Sequence, residues 1–219
     1  MRNYIRYVIY LLVFIGSSSV FSGSYEDFFI AIKQDDSRTV ESLLKRGFDP
    51  NARDPKGFHG LFLAVKEPSP KVAAVLVAWP KTDVEPRTAE DESPLMIASL
   101  NGDLELARQL VRRGAHVNKP GWTALHYAAT NGHLAVISFL LEESAYIDAE
   151  APSGATPLMM AAHYATPQSV KLLLDEGADP LLKDRRGLTA IDFANRANRV
   201  ESAELIATHV RNRQPRGKW

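Results

Sequence analysis

The residue types in this sequence that could carry chemistry are histidines and adjacent carboxylates. Three carboxylate pairs, Asp35-Asp36, Asp91-Glu92 and Glu142-Glu143, fall at predicted helix ends or loops, where nothing buries them or couples them to a base. The six histidines are His59, His116, His126, His133, His163 and His209. The chain has no cysteine, which excludes thiol nucleophiles, thiolate metal sites and disulfides.

Short catalytic motifs are missing as well. The sequence contains no phosphate-loop lysine motif, no Gly-x-Gly-x-x-Gly, no His-Glu-x-x-His and no Gly-x-Ser-x-Gly. We therefore predict that the protein is not an enzyme. We expect no catalytic residues, no metal site and no cofactor.

The charge of the chain gives no reason to expect nucleic acid as a partner. Its 219 residues include 26 basic and 26 acidic side chains, whereas neutralising phosphates needs a basic surplus. The charges are unevenly placed, because residues 23–195 are net −6 and residues 211–219 carry four positive charges. We predict that this basic tail is a polar chain end, with contact to an anionic membrane or an acidic partner as the alternative.

The first 23 residues have the three parts of a secretory signal peptide. Arg2 and Arg6 supply a basic start, residues 7–15 are wholly apolar, and glycine and serines follow. Uncharged residues continue over positions 7–25, which approaches the length of a membrane span. We predict a signal peptide over residues 1–23, with a retained membrane anchor and a helix of the folded core as alternatives.

A repeated pattern organises the rest of the chain. Six segments align without internal gaps: EDFFIAI (26–32), HGLFLAV (59–65), SPLMIAS (93–99), TALHYAA (123–129), TPLMMAA (156–162) and TAIDFAN (189–195). Their sixth letter is always alanine, at steps of 33, 34, 30, 33 and 33 residues. The methyl group of alanine permits one helix of each unit to pass close to its neighbours. A period of this length indicates a stack of repeats.

A second helix is predicted after each aligned segment. Apolar residues recur at helical spacing in stretches such as 102–115, and Gly47, Gly114 and Gly177 stop the helix where a left-handed residue is needed. Tight turns follow at 54–57, 151–154 and 184–187, where glycine stands fourth as a type I turn favours. Each unit therefore contains a turn, a short helix, a tight loop and a longer helix.

Two of these segments carry a family resemblance. The run Trp122-Thr-Ala-Leu-His-Tyr-Ala-Ala-Thr-Asn-Gly-His133 resembles the ankyrin-repeat signature, and Thr156-Pro-Leu-Met-Met-Ala-Ala162 is similar to it. The resemblance implies an all-α fold: an α-solenoid of six ankyrin repeats, each a helix-turn-helix unit with a β-hairpin finger. It also implies that His126 and His133 make hydrogen bonds within and between units. The repeats are expected at about 25–54, 55–87, 88–119, 120–150, 151–183 and 184–210, within a domain at 25–210.

The sequence departs from the ankyrin pattern at two places in particular. The second unit has Pro68-Ser69-Pro70 where a glycine between the helices belongs, and a proline is tolerable there in a helix's first turn. The link between the third and fourth units, His116 to Gly121, is three residues short. We expect a truncated finger at that position.

Ankyrin repeats bind other proteins through the finger tips and the face of the inner helices. Carried over by register, that face gives these candidate partner-binding residues: Phe58, Ile97, Leu100, Trp122, Tyr127, Thr130, Met160, His163 and Tyr164. Aromatic and methionine side chains are enriched at the centres of interfaces. The alternative for Ile97 and Met160 is packing between neighbouring inner helices.

The resemblance and the N-terminus together predict an exported, non-enzymatic adaptor or scaffold that binds one or a few proteins. The periplasm is the expected location, and a secreted or anchored protein is the alternative. A periplasmic inhibitor or immunity-type protein that neutralises a secreted toxin or enzyme is the second function, ahead of a stress-enzyme helper or a small-molecule binder. No nucleic-acid partner is expected, and membrane contact is expected only if the N-terminal segment is retained.

Overall fold

The structure is a computed structural model that describes residues 23–213. The predicted signal peptide lies outside these residues except for Gly23, as do the last six residues of the basic tail. Within the described range all regular secondary structure is α-helical, in twelve helices. None of these helices has the length and apolar character that crossing a membrane requires. The predicted all-α class is therefore confirmed for this part of the chain.

The helices fall into two compact units that divide between Asp83 and Val84. The first unit contains α1 (23–33), α2 (Ser37–Lys45), α3 (Gly60–Lys66) and α4 (Pro70–Ala78). The second unit contains α5 (Pro94–Asn101), α6 (Leu104–Arg112), α7 (Ala124–Asn131), α8 (Leu134–Glu142), α9 (Pro157–Tyr164), α10 (Pro167–Asp175), α11 (Ala190–Arg196) and α12 (Val200–Arg213). One odd-numbered and one even-numbered helix fall in each predicted repeat. We call the odd-numbered helices inner and the even-numbered helices outer.

The beginnings of the helices follow from local side-chain chemistry. Ser93 and Thr156 accept hydrogen bonds from the backbone N–H groups of Met96 and Met159, which would otherwise lack a partner in the first turn. Pro70 occupies the first helical position of α4, in the segment where the ankyrin pattern has a glycine between the two helices. A proline is tolerated there because its missing N–H is not needed. The second predicted repeat therefore keeps its helix pair, as predicted.

The ends of three outer helices follow the predicted glycine rule. Gly47, Gly114 and Gly177 have φ angles of 91°, 95° and 101°, a backbone region that residues with a Cβ atom rarely adopt. At the corresponding place after α8, Ser144 takes up a positive φ of 65° instead. Each of these helices therefore ends before this residue, and the chain turns back.

The core of each unit lies between its inner and outer helices. In the second unit α5, α7, α9 and α11 pack side by side, and α6, α8, α10 and α12 form a second row. In the first unit α1 approaches α3 so closely that the ring of Phe28 lies over Gly60. The constant alanines are all buried: Ala31, Ala64, Ala98, Ala128, Ala161 and Ala194. Their burial confirms the close passage that the repeat pattern predicts.

A larger side chain at a constant alanine is expected to destabilise the second unit. Ala128 is fully buried in α7 between two neighbouring inner helices, so Ala128→Leu forces atoms into filled space and should cost about 1–3 kcal/mol. Ala135→Leu, on the exposed side of α8, is the matched control and should change the free energy of unfolding by less than about 0.5 kcal/mol. Urea denaturation of both variants measures the difference, and equal effects would contradict the packing.

Candidate functional site

The fingers are tight turns that come directly before the inner helices in the chain. In the finger Asp54–Phe58, the Asp54 N–H donates to the Phe58 carbonyl at 2.8 Å and the Gly57 N–H donates to the Asp54 carbonyl at 2.8 Å. The same two bonds close the fingers 151–155 and 184–188, which confirms the predicted turns. The finger Thr88–Glu92 has the same pattern, with Asp91 at a φ of 62° where the others have glycine. A single isolated β-bridge, Arg53 to His59, is recorded among the described residues, so these fingers are turns without regular strands.

The link between the third and fourth repeats is shortened, as the sequence predicts. Residues 113–123, eleven in all, join α6 to α7, whereas the fourteen residues 143–156 join α8 to α9. The Lys119 ammonium lies 2.5 Å from Asp91 Oδ2 and donates to the Trp122 carbonyl at 3.0 Å. The hydrogen bond and charge of Lys119 hold the pKa of Asp91 below its usual value. The short link is therefore tied to the finger of the repeat before it.

Trp122 and Tyr127 meet beside this short link. Their ring centroids are 6.3 Å apart with the planes at 86°, an edge-to-face pair, and both side chains are half-buried. The Tyr127 hydroxyl donates to Glu92 Oε1 at 2.9 Å. Burial, and secondly the Glu92 carboxylate, raise the pKa of Tyr127, so the phenol stays neutral. We call Glu92, Trp122 and Tyr127 the aromatic surface.

His163 and Tyr164 form a second group at the end of α9. Their rings pack edge to face with centroids 4.3 Å apart, and Tyr164 is 53% exposed. His163 Nδ1 lies 3.1 Å from the Phe193 carbonyl, and Arg199 Nη2 donates to the Tyr164 carbonyl at 3.0 Å. This arrangement holds an exposed aromatic ring next to an exposed cationic side chain.

The other candidates in the second unit differ in how much surface they offer. Leu100 and Met160 are half-exposed, so both remain available for contact. The Thr130 hydroxyl donates to the His126 carbonyl of its own helix at 2.8 Å, so its oxygen already has a partner. Ile97 is only 7% exposed and lies in the core, which agrees with the alternative that it packs between inner helices.

Phe58 lies in a groove of about 420 Å³ in the first unit. Its ring stacks on Phe62, with centroids 5.7 Å apart and planes at 10°, and the Lys66 ammonium lies 4.9 Å from the Phe58 centroid. The residues that line this groove are Phe29, Ile32, Lys33, Asp54, Pro55, Lys56, Phe58, Leu63, Lys66 and Glu67. We call it the lysine groove. Of these residues only Phe58 is among the candidates predicted from the sequence.

Three histidines form hydrogen bonds that hold the fold, and two of them, His59 and His126, are buried. His126 Nε2 lies 3.0 Å from the Ala155 carbonyl of the next finger, and its Nδ1 accepts the Thr123 N–H at 3.2 Å. His133 Nε2 lies 2.9 Å from the Leu100 carbonyl of the preceding repeat. These bonds confirm the predicted roles of His126 and His133. His59 is also buried, with Nδ1 accepting the Leu61 N–H at 3.1 Å and Nε2 lying 3.1 Å from Asn51 Oδ1. Within residues 23–213 no cluster of three or more histidine or carboxylate side chains is placed to hold a metal ion.

Comparison with known families agrees with the repeat pattern and the geometry. The family described as "Ankyrin repeats (3 copies)" matches over residues 28–120 and 61–151, and "Ankyrin repeats (many copies)" matches residues 142–194. The chain belongs to the ankyrin-repeat family. The ankyrin repeat protein YahD of Escherichia coli is 28% identical over 190 residues, which cover 82% of this chain and 94% of that protein.

Other curated relatives are much longer proteins. The mouse ankyrin repeat and SAM domain-containing protein 6 is 35% identical over 134 residues, which are 58% of this chain and 15% of that protein. The mouse nuclear factor NF-kappa-B p105 subunit is 32% identical over 153 residues, 67% of this chain and 16% of that protein. The chain therefore spans only a small part of these two relatives and shares their ankyrin repeats.

Two solved structures resemble this ankyrin-repeat chain over most of its length. One is a chain from the structure of a predatory endopeptidase of Bdellovibrio bacteriovorus in complex with an immunity protein. The TM-score is 0.72 and the identity 28%, over 83% of this chain and 97% of that one. The other is an ankyrin repeat domain from Acinetobacter baumannii, with a TM-score of 0.72 and 27% identity over 84% of this chain and 97% of that domain. Ankyrin repeats act in protein–protein interaction, so this chain carries a protein-binding module.

Proposed function

We propose that this protein is a non-enzymatic adaptor or scaffold that binds a protein partner through its fingers and inner helices. The observation that carries the proposal is the aromatic surface. Trp122 and Tyr127 are large, half-exposed and fixed in place by each other and by Glu92. Rigid aromatic side chains of this kind provide binding energy at a small cost in conformational entropy.

The absence of enzymatic activity is part of this proposal. In the buried rings of His126 and His59, both nitrogens form hydrogen bonds that hold the fold. The carboxylate of Asp91 pairs with Lys119, and that of Glu92 accepts from Tyr127. A general base would need a free acceptor beside a nucleophile, and these four groups are already engaged.

Export to the periplasm is proposed from the sequence of residues 1–23. Secretion or anchoring by the same segment are the alternatives. Cell fractionation together with the intact mass of the recovered protein tests this point. We expect the protein in the periplasmic fraction with a mass lower by about 23 residues. A full-length protein in the cytoplasm would contradict export, and a full-length protein in the membrane fraction would indicate an anchor.

A second function is favoured by one of the structural relatives. Because a chain with a TM-score of 0.72 comes from a complex of an endopeptidase with an immunity protein, an inhibitor of a secreted toxin or enzyme is the alternative function. Such a protein would abolish the activity of its partner at equimolar concentration. An adaptor would leave that activity unchanged or direct it to a second protein.

Affinity capture from the periplasmic fraction tests the proposed function. The immobilised chain is expected to retain one or a few proteins in near-equimolar amounts, and a matrix carrying the Trp122→Ala, Tyr127→Ala double variant is expected to retain much less of them. Adding the free chain to the captured protein and assaying its hydrolytic activity separates the inhibitor from the adaptor. Capture that is equal on the wild-type, variant and empty matrices would overturn the proposal.

A further inference from the structure

The lysine groove is a cavity of the first unit with an apolar lining and several charged side chains. Its volume of about 420 Å³ lies within the usual range of ligand sites. Phe29, Ile32, Leu63 and Phe58 supply its apolar lining, and they come from α1, α3 and the finger that precedes α3. These three segments belong to one compact unit, so the groove is complete within it.

Three lysines surround this apolar lining. Lys33 ends α1, Lys66 ends α3, and Lys56 lies at the finger tip, and all three are exposed. Lys33 and Lys66 occupy the same register position, two residues after the constant alanines Ala31 and Ala64. None of the three lysines has a carboxylate within ion-pair distance among residues 23–213, whereas Lys45, Lys71, Lys119 and Lys171 each have one.

Two carboxylates, Asp54 and Glu67, line the groove together with the three lysines. Asp54 Oδ1 accepts the backbone N–H groups of Lys56 and Phe58 at 2.9 Å and 2.8 Å, so this carboxylate is oriented by its own turn. Glu67 is the residue that follows α3, and it forms no ion pair within the described part of the chain. These two acids and the three lysines are all the titratable side chains that line the groove, so its lining carries a net charge of +1.

The Lys66 ammonium shows how a ligand would be received. It lies 4.9 Å from the Phe58 ring centroid and 6.0 Å from that of Phe62, so in the free protein its charge rests against aromatic faces. A carboxylate entering beside these rings would form a stronger, charge-assisted contact with the ammonium group. An apolar side chain next to that carboxylate would fill the space above Phe29 and Leu63.

We propose that the lysine groove binds an acidic peptide segment of the protein partner, in which a bulky apolar residue is flanked by aspartate or glutamate. The proposal rests on the proposed function and names the chemistry of the partner. Charge complementarity favours an acidic segment, because the groove lining is net +1 whereas residues 23–195 as a whole are net −6, and the three lysines form no ion pair within residues 23–213. Acidic chains are thereby attracted to the groove.

Charge reversal of the groove lysines is the test with the captured partner. Lys33→Glu with Lys66→Glu should weaken binding at least 30-fold and should flatten the fall of affinity between about 50 and 300 mM salt, because salt screens exposed charges. Lys45→Glu with Lys71→Glu is the matched control, since it reverses two exposed lysines of the same unit on the outer helices. The control should change affinity less than threefold.

A defined peptide tests the same groove without the partner. The probe is fluorescein-labelled Ser-Gly-Glu-Asp-Phe-Leu-Glu-Asp-Gly-Ser, with one variant in which the acids are lysines and one in which Phe-Leu is Ser-Ser. Fluorescence anisotropy with the full chain should give at least tenfold tighter binding of the acidic apolar peptide than of either variant. The Lys33→Glu, Lys66→Glu chain should lose that difference.

The outcomes separate this proposal from the proposed function. If no protein is captured, the proposed function fails, and the peptide alone then decides whether the groove recognises acidic segments. If a partner is captured but the groove and control pairs weaken binding equally, and the three peptides bind alike, the acidic-segment proposal is wrong while the binding function stands. Preference for a free aromatic carboxylic acid over the peptide would also overturn it, because the site would then bind a small molecule.

Discussion

Acidification from pH 7 to pH 4 is expected to remove about 3 kcal/mol from the free energy of unfolding of each unit. One buried histidine in each unit is responsible, His59 in the first and His126 in the second. Burial lowers the pKa of both rings from 6.5 to about 4. A shift of this size corresponds to about 3 kcal/mol for each group by proton linkage.

The hydrogen bonds explain why the folded protein resists protonation at these rings. In His59 and His126, Nδ1 accepts a backbone N–H, from Leu61 and Thr123 respectively. The proton of the neutral ring therefore lies on Nε2, which faces Asn51 Oδ1 in one case and the Ala155 carbonyl in the other. A second proton on Nδ1 would point at an N–H donor and would place a charge in a buried site.

The sign of the effect follows from the direction of these shifts. Because the folded pKa is about 4 and the unfolded value is 6.5, the unfolded chain binds more protons between these limits. The stabilisation is fully present above pH 6.5 and is lost as the pH falls towards 4. Carboxylates such as Asp192 change stability at lower pH, because hydrogen bonds from Thr189 lower the pKa of Asp192 below its usual value. The interval from 6.5 to 4 therefore reports mainly on the histidines.

Urea denaturation at pH values from 7.5 to 3.5 measures this prediction. His126→Gln keeps a donor for the Ala155 carbonyl but removes the buried ring that titrates. It should lower stability at pH 7, and it should flatten the pH dependence of the free energy of unfolding of the second unit by about 1.4 kcal/mol per pH unit in the steep interval. His116→Gln is the matched control, since that side chain is 67% exposed. A profile of His126→Gln with the wild-type slope would show that this ring is not the group that titrates.

Removing the aromatic surface is expected to weaken partner binding more than 100-fold. Trp122→Ala and Tyr127→Ala each delete a ring of an edge-to-face pair, and truncation of such side chains at the centre of an interface costs about 2 kcal/mol or more. Two such losses exceed a factor of 100 in the dissociation constant. Surface plasmon resonance with the captured partner measures the change.

Matched variants separate lost contact from lost folding. Tyr146→Ala removes a tyrosine that is 69% exposed and lies outside the aromatic surface, so binding should be unchanged. Tyr127→Phe keeps the ring and loses only the hydrogen bond to Glu92, which should cost less than tenfold. If the double variant unfolds with wild-type cooperativity and still binds like the wild type, the aromatic surface is not where the partner binds.

Most of the fold can be predicted from the sequence because of its repeat pattern. The constant alanines mark the buried inner helices, and the glycines at 47, 114 and 177 mark the ends of outer helices through their positive φ angles. These features are local or strictly periodic, so they can be read from one chain. The shortened link at 113–123 is predicted for the same reason, since its length is visible in the spacing of the repeats.

The details of the site depend on contacts between residues far apart in the sequence. The link from Lys119 to Asp91 joins side chains 28 positions apart, and the hydrogen bond from Tyr127 to Glu92 spans 35 positions. Phe29 was missed as a groove residue because it shares its register with Phe62 and His126, which are buried. Only the packing of α1 against α3 and its finger shows that Phe29 lines a groove.

Hydrogen–deuterium exchange of the chain with and without its captured partner is the most direct test of protein binding through fingers and inner helices. We expect slower exchange on binding in the fingers 54–58 and 88–92, in the short link 113–123 and at the beginning of α7, where the aromatic surface lies. The outer helices α6, α8 and α10 should exchange as in the free protein. Protection confined to those outer helices would contradict the proposed binding face.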